Sequence, residues 1–253
     1  MSGGEWGIYI VLYFWLAGFG GGAFLLALSQ RDRWLERVGA WLAFLGVVVG
    51  ALFLVIDLGQ PLRFWHLLAS FRPISVMWLG SAFLFLDGIA LFILLFLREW
   101  PPLLVWVAAI LTLLVVGYTG VLLTATAKPF WSASPLIPWI FLASAGTTGA
   151  AVLALFGASE GVHRAAYWLA WVEGALILLH LVWTYPSAET AVRALLSGPL
   201  AWAFWGFVAF GFGLPLWLET RKKGLWLAAL LVLVGGFLLR YFVVYAGQIG
   251  YVI

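Results

Sequence analysis

The sequence contains no cysteine, so the protein can form no disulfide and cannot hold an iron–sulfur cluster on thiolates. Charge is nearly as scarce: 9% of the residues are Asp, Glu, Lys or Arg, where a soluble domain carries roughly a quarter. Histidine occurs three times, at His66, His163 and His180. A haem held between helices needs facing axial ligands, and His163 and His180 fall 17 residues apart, near opposite ends of one apolar run. The sequence therefore argues against a dihaem cytochrome b, and neither haem nor iron–sulfur cluster is expected in this protein. No basic stretch precedes the first apolar run, which continues into a full-length span, so no cleavable leader is expected. The net charge of +3 carries little information in so apolar a sequence, and no nucleic-acid partner is expected.

Apolar sequence takes up the space that charge leaves. Of the 253 residues 65% are hydrophobic, with a mean hydropathy of +1.11. Eight nearly uncharged stretches fall at about 6–29, 38–58, 74–98, 102–127, 136–157, 164–184, 200–218 and 225–248. Each can cross ~30 Å of hydrocarbon at 1.5 Å per residue. Backbone groups in lipid must be paired internally, so the expected fold is an all-α, multi-pass integral membrane protein with eight transmembrane helices. Many of the 17 Trp, 20 Phe and 8 Tyr sit at span ends, as an interfacial aromatic belt requires.

An even number of spans puts both termini on one side. The loops opposite the termini carry Arg31, Arg33, Arg37, Arg98, Arg164, Arg221, Lys222 and Lys223; the terminal side carries Arg63, Arg72, Lys128 and Arg193. The positive-inside rule then places both termini on the outer, periplasmic side of the cell's inner membrane. That side also holds the longer, Pro- and Trp-rich loops, where a partner would dock. Gly22–Leu28 matches Gly149–Leu155 at five of seven positions, and Gly50-Ala51-Leu52 and Gly174-Ala175-Leu176 follow at similar intervals. These matches suggest a parallel repeat: two four-helix bundles, residues 1–128 and 129–253, related by a pseudo-twofold axis along the membrane normal.

Ionisable residues inside spans are costly and need a reason. Asp57, Asp87, Glu173 and Arg240 lie within or at the edge of spans. Asp87 is expected ~20 Å along its helix, deep in the bilayer. Two readings stand: a structural ion pair, with Glu173 to Arg240 the expected partners, or a proton relay. Tyr13 and Tyr118 are both expected ~12 Å below the outer surface. A buried phenol wants a hydrogen-bond partner, and either a quinone carbonyl or a neighbouring helix carbonyl would serve. The second outer loop is the densest polar region. It holds Asp57, near enough in sequence to pair with Arg63 across a Gly59/Pro61 turn, and then Trp65 and His66 at the interface where a ring-shaped headgroup would enter. His180, four residues before Thr184, is ambiguous.

These pieces carry a resemblance. Tyr13-Phe-Trp-Leu-Ala-Gly18, Asp57-Leu-Gly-Gln-Pro-Leu-Arg63-Phe-Trp65, Ser75-Val-Met77-Trp, Tyr118-Thr-Gly120, Pro129-Phe-Trp131, Ser144-Ala-Gly-Thr-Thr-Gly149 and Leu239-Arg240-Tyr241 occur in this order along the whole sequence. The sequence resembles the NrfD/polysulfide-reductase membrane-subunit family, the quinone-interacting anchors of respiratory oxidoreductases. The resemblance implies two four-helix bundles and no cofactor of the protein's own. It also implies an outward-facing pocket for menaquinone or ubiquinone, beneath a ferredoxin-like 4Fe–4S subunit and a larger catalytic subunit, of molybdopterin type. A ring donor on the first helix and a tyrosine on the fourth would meet the headgroup. Some members carry His where this sequence has Tyr13, and a phenol cannot become a cation near neutral pH, so Tyr13 is expected to hydrogen-bond rather than to accept a proton.

The expected function is that of a quinone- or quinol-reactive membrane subunit, not catalytic alone. Tyr13, Tyr118, His66, Trp65, Asp57 and Arg63 would form the quinone pocket, and Asp87, Glu173, His180 and Arg240 would handle protons. The alternative is a proton-coupled carrier or pump without redox chemistry, built on the same repeat.

Overall fold

The computed structural model describes residues 6–57, 75–221 and 224–249, and every regular element among them is helical. In sequence order these are α1 (Ile8–Gln30), α2 (Arg33–Asp57), α3 (Val76–Phe96), α4 (Pro102–Thr124), the short α5 (Pro129–Ser132), α6 (Ile137–Leu155), α7 (Glu160–Thr184), the short α8 (Glu189–Leu196), α9 (Ala201–Thr220) and α10 (Leu225–Ala246). All but α5 and α8 are long and apolar enough to cross a bilayer, which matches the eight spans read from the sequence.

The boundaries shift for local reasons. The second helix starts at Arg33, five residues before the expected 38, because the Asp32 carboxylate accepts from the Trp34 amide at 2.8 Å and nucleates the first turn. The charged turn Arg33–Arg37 therefore belongs to the helix, and the Arg37 guanidinium donates to the carbonyls of Leu97 and Arg98 beyond α3. The stretches 128–135 and 185–199, expected as plain breaks, contain α5 and α8. The seventh span is not uniform: Phe207–Gly213 is π-helical, and its register ends just before Pro215, which has no amide hydrogen to give.

The residues that lead into α1 meet those that follow α10. The Trp6 amide donates to Gln248 Oε1 at 2.8 Å, and Gln248 Nε2 donates back to the Trp6 carbonyl at 3.0 Å. The start of α1 and the end of α10 thus lie on one face of the molecule, the terminal face. Large apolar side chains such as Phe96, Leu103 and Val182 point outwards, as lipid contact requires. Exposed tryptophans edge both faces, with Trp139, Trp183 and Trp202 towards the terminal face and Trp34, Trp217 and Trp226 towards the other.

Lipid gives apolar helices no hydrophobic drive to associate, so close contact between small residues supplies the attraction. α1 and α6 are the most enclosed spans. On α1, a Cβ on Gly20 would come within 2.5 Å of the Leu42 carbonyl of α2, and one on Gly22 would strike the Ala145 backbone of α6. Gly149 of α6 in turn abuts Gly22 and Ala23. The segments that match in sequence therefore meet in space, and a little over two turns away Phe14 packs edge-on against Phe141 at 5.7 Å.

Candidate functional site

The first cluster lies among α1–α4, towards the terminal face. Tyr13 is fully enclosed, its ring against Gly50 of α2, where a Cβ would approach to 2.7 Å. Tyr118 of α4 occupies the place that a side chain at Gly80 of α3 would take. Two glycines thus make room for two phenol rings at similar depth. Tyr13 lies within electrostatic reach of Tyr118 and of Asp87. The sequence reading brought the two tyrosines together but set Asp87 apart; the structure adds it to their group, about 10 Å deeper than Gly80 along α3 at 1.5 Å per residue. Asp87 is fully buried; its Oδ1 accepts from Thr112 Oγ1 of α4 at 2.8 Å, and its Oδ2 has no hydrogen-bond partner among the described residues. No hydrogen bond from either tyrosine hydroxyl occurs among the described residues either. Asp57 ends α2, with its Oδ1 beside Gly7 at the entry to α1. Arg63, Trp65 and His66 lie outside the described residues, and so does the proposed Asp57–Arg63 pair.

A second cluster joins α1, α6, α7 and α10. Arg240, 1% exposed, donates from Nε to the Phe14 carbonyl at 3.0 Å and from Nη1 to Ser144 Oγ at 2.8 Å and to the Gly236 carbonyl at 2.9 Å. Its guanidinium also faces the Phe141 ring at 5.4 Å. Glu173, also buried, accepts from Thr147 Oγ1 at 2.9 Å. The expected direct ion pair between Glu173 and Arg240 is not formed: the salt bridges among the described residues are Arg33–Glu36 and Arg193–Glu189. Ser144 stands between the two charges, bonded to Arg240 and lying against Glu173. A helix-borne hydroxyl spaces them because each has closer partners on its own neighbours. His180 belongs to neither cluster. Its Nδ1 lies 3.2 Å from Ser134 Oγ, its ring is edge-on to Phe130 at 5.1 Å, and its Nε2 has no partner among the described residues.

A lateral groove of about 560 Å³ separates α2 from α3. Its walls are apolar, with Leu52 and Phe85 at the lipid-facing mouth, and Val47, Leu84 and Gly88 deeper in, beside the Asp87 backbone. It opens laterally between the two helices that carry Gly50 and Gly80, the glycines against which the tyrosine rings pack.

The order of these features along the sequence has counterparts. The model of a polysulfide reductase family, of NrfD type, matches residues 1–253. The protein belongs to that family. One of the polysulfide reductase polypeptides of Wolinella succinogenes is 32% identical over 96% of this protein and 94% of its own length. Protein NrfD of Escherichia coli is 29% identical over 96% and 95%. A selenate reductase subunit of Mesobacillus selenatarsenatis is 36% identical over 80 residues, 29% of this protein and 18% of its own length.

In this NrfD-family protein, sequence reasoning missed the hydroxyls that hold the buried acids. Thr112 sits 25 residues beyond Asp87, and Thr147 sits 26 residues before Glu173. Threonine bonding back to its own helix is common in apolar spans, so neither stood out. The available signal was one buried acid and one hydroxyl at matched depth on consecutive antiparallel helices.

Proposed function

We propose that this protein is the quinone-reactive membrane subunit of a respiratory oxidoreductase. The observation that carries the proposal is the placing of Tyr13 and Tyr118 at similar depth with Asp87 beneath them, where neither phenol hydroxyl nor Asp87 Oδ2 has a hydrogen-bond partner among the described residues, beside an apolar groove open to lipid. A quinone has both matching halves, carbonyl oxygens for the phenols and an isoprenoid tail for the groove. Relatives that bear the names of polysulfide and selenate reductase components support the respiratory setting.

In this reading menaquinone or ubiquinone supplies the two-electron chemistry, and the protein supplies orientation and protons. Tyr13 and Tyr118 hold the ring by donating to its oxygens. Asp87, with Oδ1 fixed by Thr112, exchanges a proton with the bound headgroup through Oδ2. Electrons pass to or from a ferredoxin-like 4Fe–4S subunit, and through it a larger catalytic subunit of molybdopterin type, both docked over the terminal face. That face looks outwards from the inner membrane, because basic residues gather on the other. The two four-helix bundles, 1–128 and 129–253, divide the work, with the quinone in the first.

Tyr118→Phe in the assembled complex tests this. Loss of one hydrogen bond worth about 0.5–1.5 kcal/mol should slow quinol-dependent turnover up to about tenfold with the subunit yield unchanged. Unaltered turnover in both Tyr118→Phe and Tyr13→Phe would remove the site.

A further inference from the structure

Glu173 lines a cleft that opens away from the quinone cluster, towards the face opposite the two termini. Four helices enclose it. Thr147, Ala150 and Ala154 of α6 face Ala166, Ala170 and Glu173 of α7; Gly211, Pro215 and Glu219 of α9 and Ala229 of α10 close the other side. Glu173 sits at its deep end. His163 lies ten residues earlier on the same helix, about 15 Å away along the axis, and with Glu219 marks the mouth.

Three features make this cleft a place for water rather than a packing gap. Six alanines line it, on α6, α7 and α10, beside the larger Phe212, Leu216, Leu225 and Val232. It holds about 30 Å³ of room for water, enough for roughly two molecules, since each needs about 10–15 Å³ and polar partners. The third is the π-helical turn of α9, which places Gly211 on the cleft, while Pro215 leaves one carbonyl of the preceding turn without its helical donor. π-turns frequently accompany functional sites. A dehydrated metal ion is poorly served, because no group of three His, Asp or Glu converges among the described residues.

We propose that this cleft is a proton entry from the face opposite the two termini, with Glu219 and His163 at the mouth and Glu173 as the group it loads. Hydronium from the aqueous phase delivers a proton through the mouth waters to the Glu173 carboxylate, which becomes the neutral acid, and water is returned. The groups facing Glu173 are Thr147 and Ser144 from α6, Arg240 from α10, and His163 and Glu219 towards the mouth. Ser144 also accepts from Arg240, which in turn holds the Phe14 carbonyl next to Tyr13. A change of charge at Glu173 thus reaches the helix that carries the quinone ligand through one hydroxyl and one guanidinium. Water access to Glu173 does not depend on what binds at the tyrosines.

The protein has no cysteine, so single cysteines report on the cleft in the intact complex. Ala166→Cys and Ala170→Cys, in sealed vesicles of both orientations, are exposed to a small charged methanethiosulfonate reagent. Both should react from the side that labels Gly224→Cys and not from the side that labels Ala133→Cys. Their rates should exceed that of the lipid-facing Leu178→Cys by at least about tenfold, because only a hydrated thiol ionises readily. Rates equal to that of Leu178→Cys, or labelling from the Ala133→Cys side, would overturn the proposal whatever the quinone assays show. Filling the cleft with Ala170→Leu should abolish turnover-linked proton uptake from that side, with detergent turnover retained. Uptake that persists in Ala170→Leu, or that requires sodium at constant pH, would also overturn it.

Discussion

Arg240 makes three hydrogen bonds to three helices and lies over an aromatic ring, all within hydrocarbon depth. A buried charge without partners is expensive, and here carbonyls and a hydroxyl do most of the pairing. Gly18 is what admits it, since any side chain there would collide with the guanidinium. Gly18→Ala should therefore destabilise the subunit by about 1–3 kcal/mol, the usual range for overpacking, read as a lower thermal midpoint and reduced yield. An unchanged midpoint would show that Arg240 is not held as described. Asp87 predicts differently. Asp87→Asn keeps the side-chain volume, so yield should stay normal while quinol-dependent turnover falls by about 10²-fold, the low end of general acid–base contributions. The sequence revealed both residues as costly, because charge inside an apolar run is visible at once. It did not reveal their partners: Ser144 and Gly18 look like ordinary small residues of a span, and only packing shows that one spaces two charges and the other makes room for one.

At the scale of elements, α1 is the axle. Gly20 contacts α2, Gly21 lies against Val116 of α4, and Gly22 and Ala23 meet α6 at Gly149. Without a hydrophobic drive, such close approaches carry the association. Gly149→Val should part α1 from α6 and abolish assembly, whereas Gly161→Val, at an open helix start, should assemble normally; blue-native electrophoresis of solubilised membranes reads the contrast. Spans were legible because lipid imposes length and composition on them. The π-helical turn of α9 was not, since Phe207–Gly213 is as apolar as its flanks and the register change leaves no mark in composition. The start of α2 was missed for the opposite reason: its first turn is charged, and helix capping by Asp32 outweighs hydropathy there.

For the whole molecule, the two clusters point to opposite faces. The tyrosines lie towards the terminal face, near the groove between α2 and α3, while Glu173 lines a cleft towards the other side. With basic residues gathered away from the termini, Ala133→Cys and Ser197→Cys should be labelled by an impermeant reagent on whole cells, and Gly224→Cys only after lysis. The reverse pattern would turn the molecule over and move the partner subunits with it. The most direct test of the quinone site is photolabelling of the assembled complex in its membrane with an azido-quinone, followed by peptide mapping. The account predicts modification on the peptides that contain Tyr13, Tyr118 and the groove residues Leu84–Ile89, with competition by excess quinol. Saturable labelling confined to α7–α10, with the peptides of Tyr13 and Tyr118 unmodified, would contradict it.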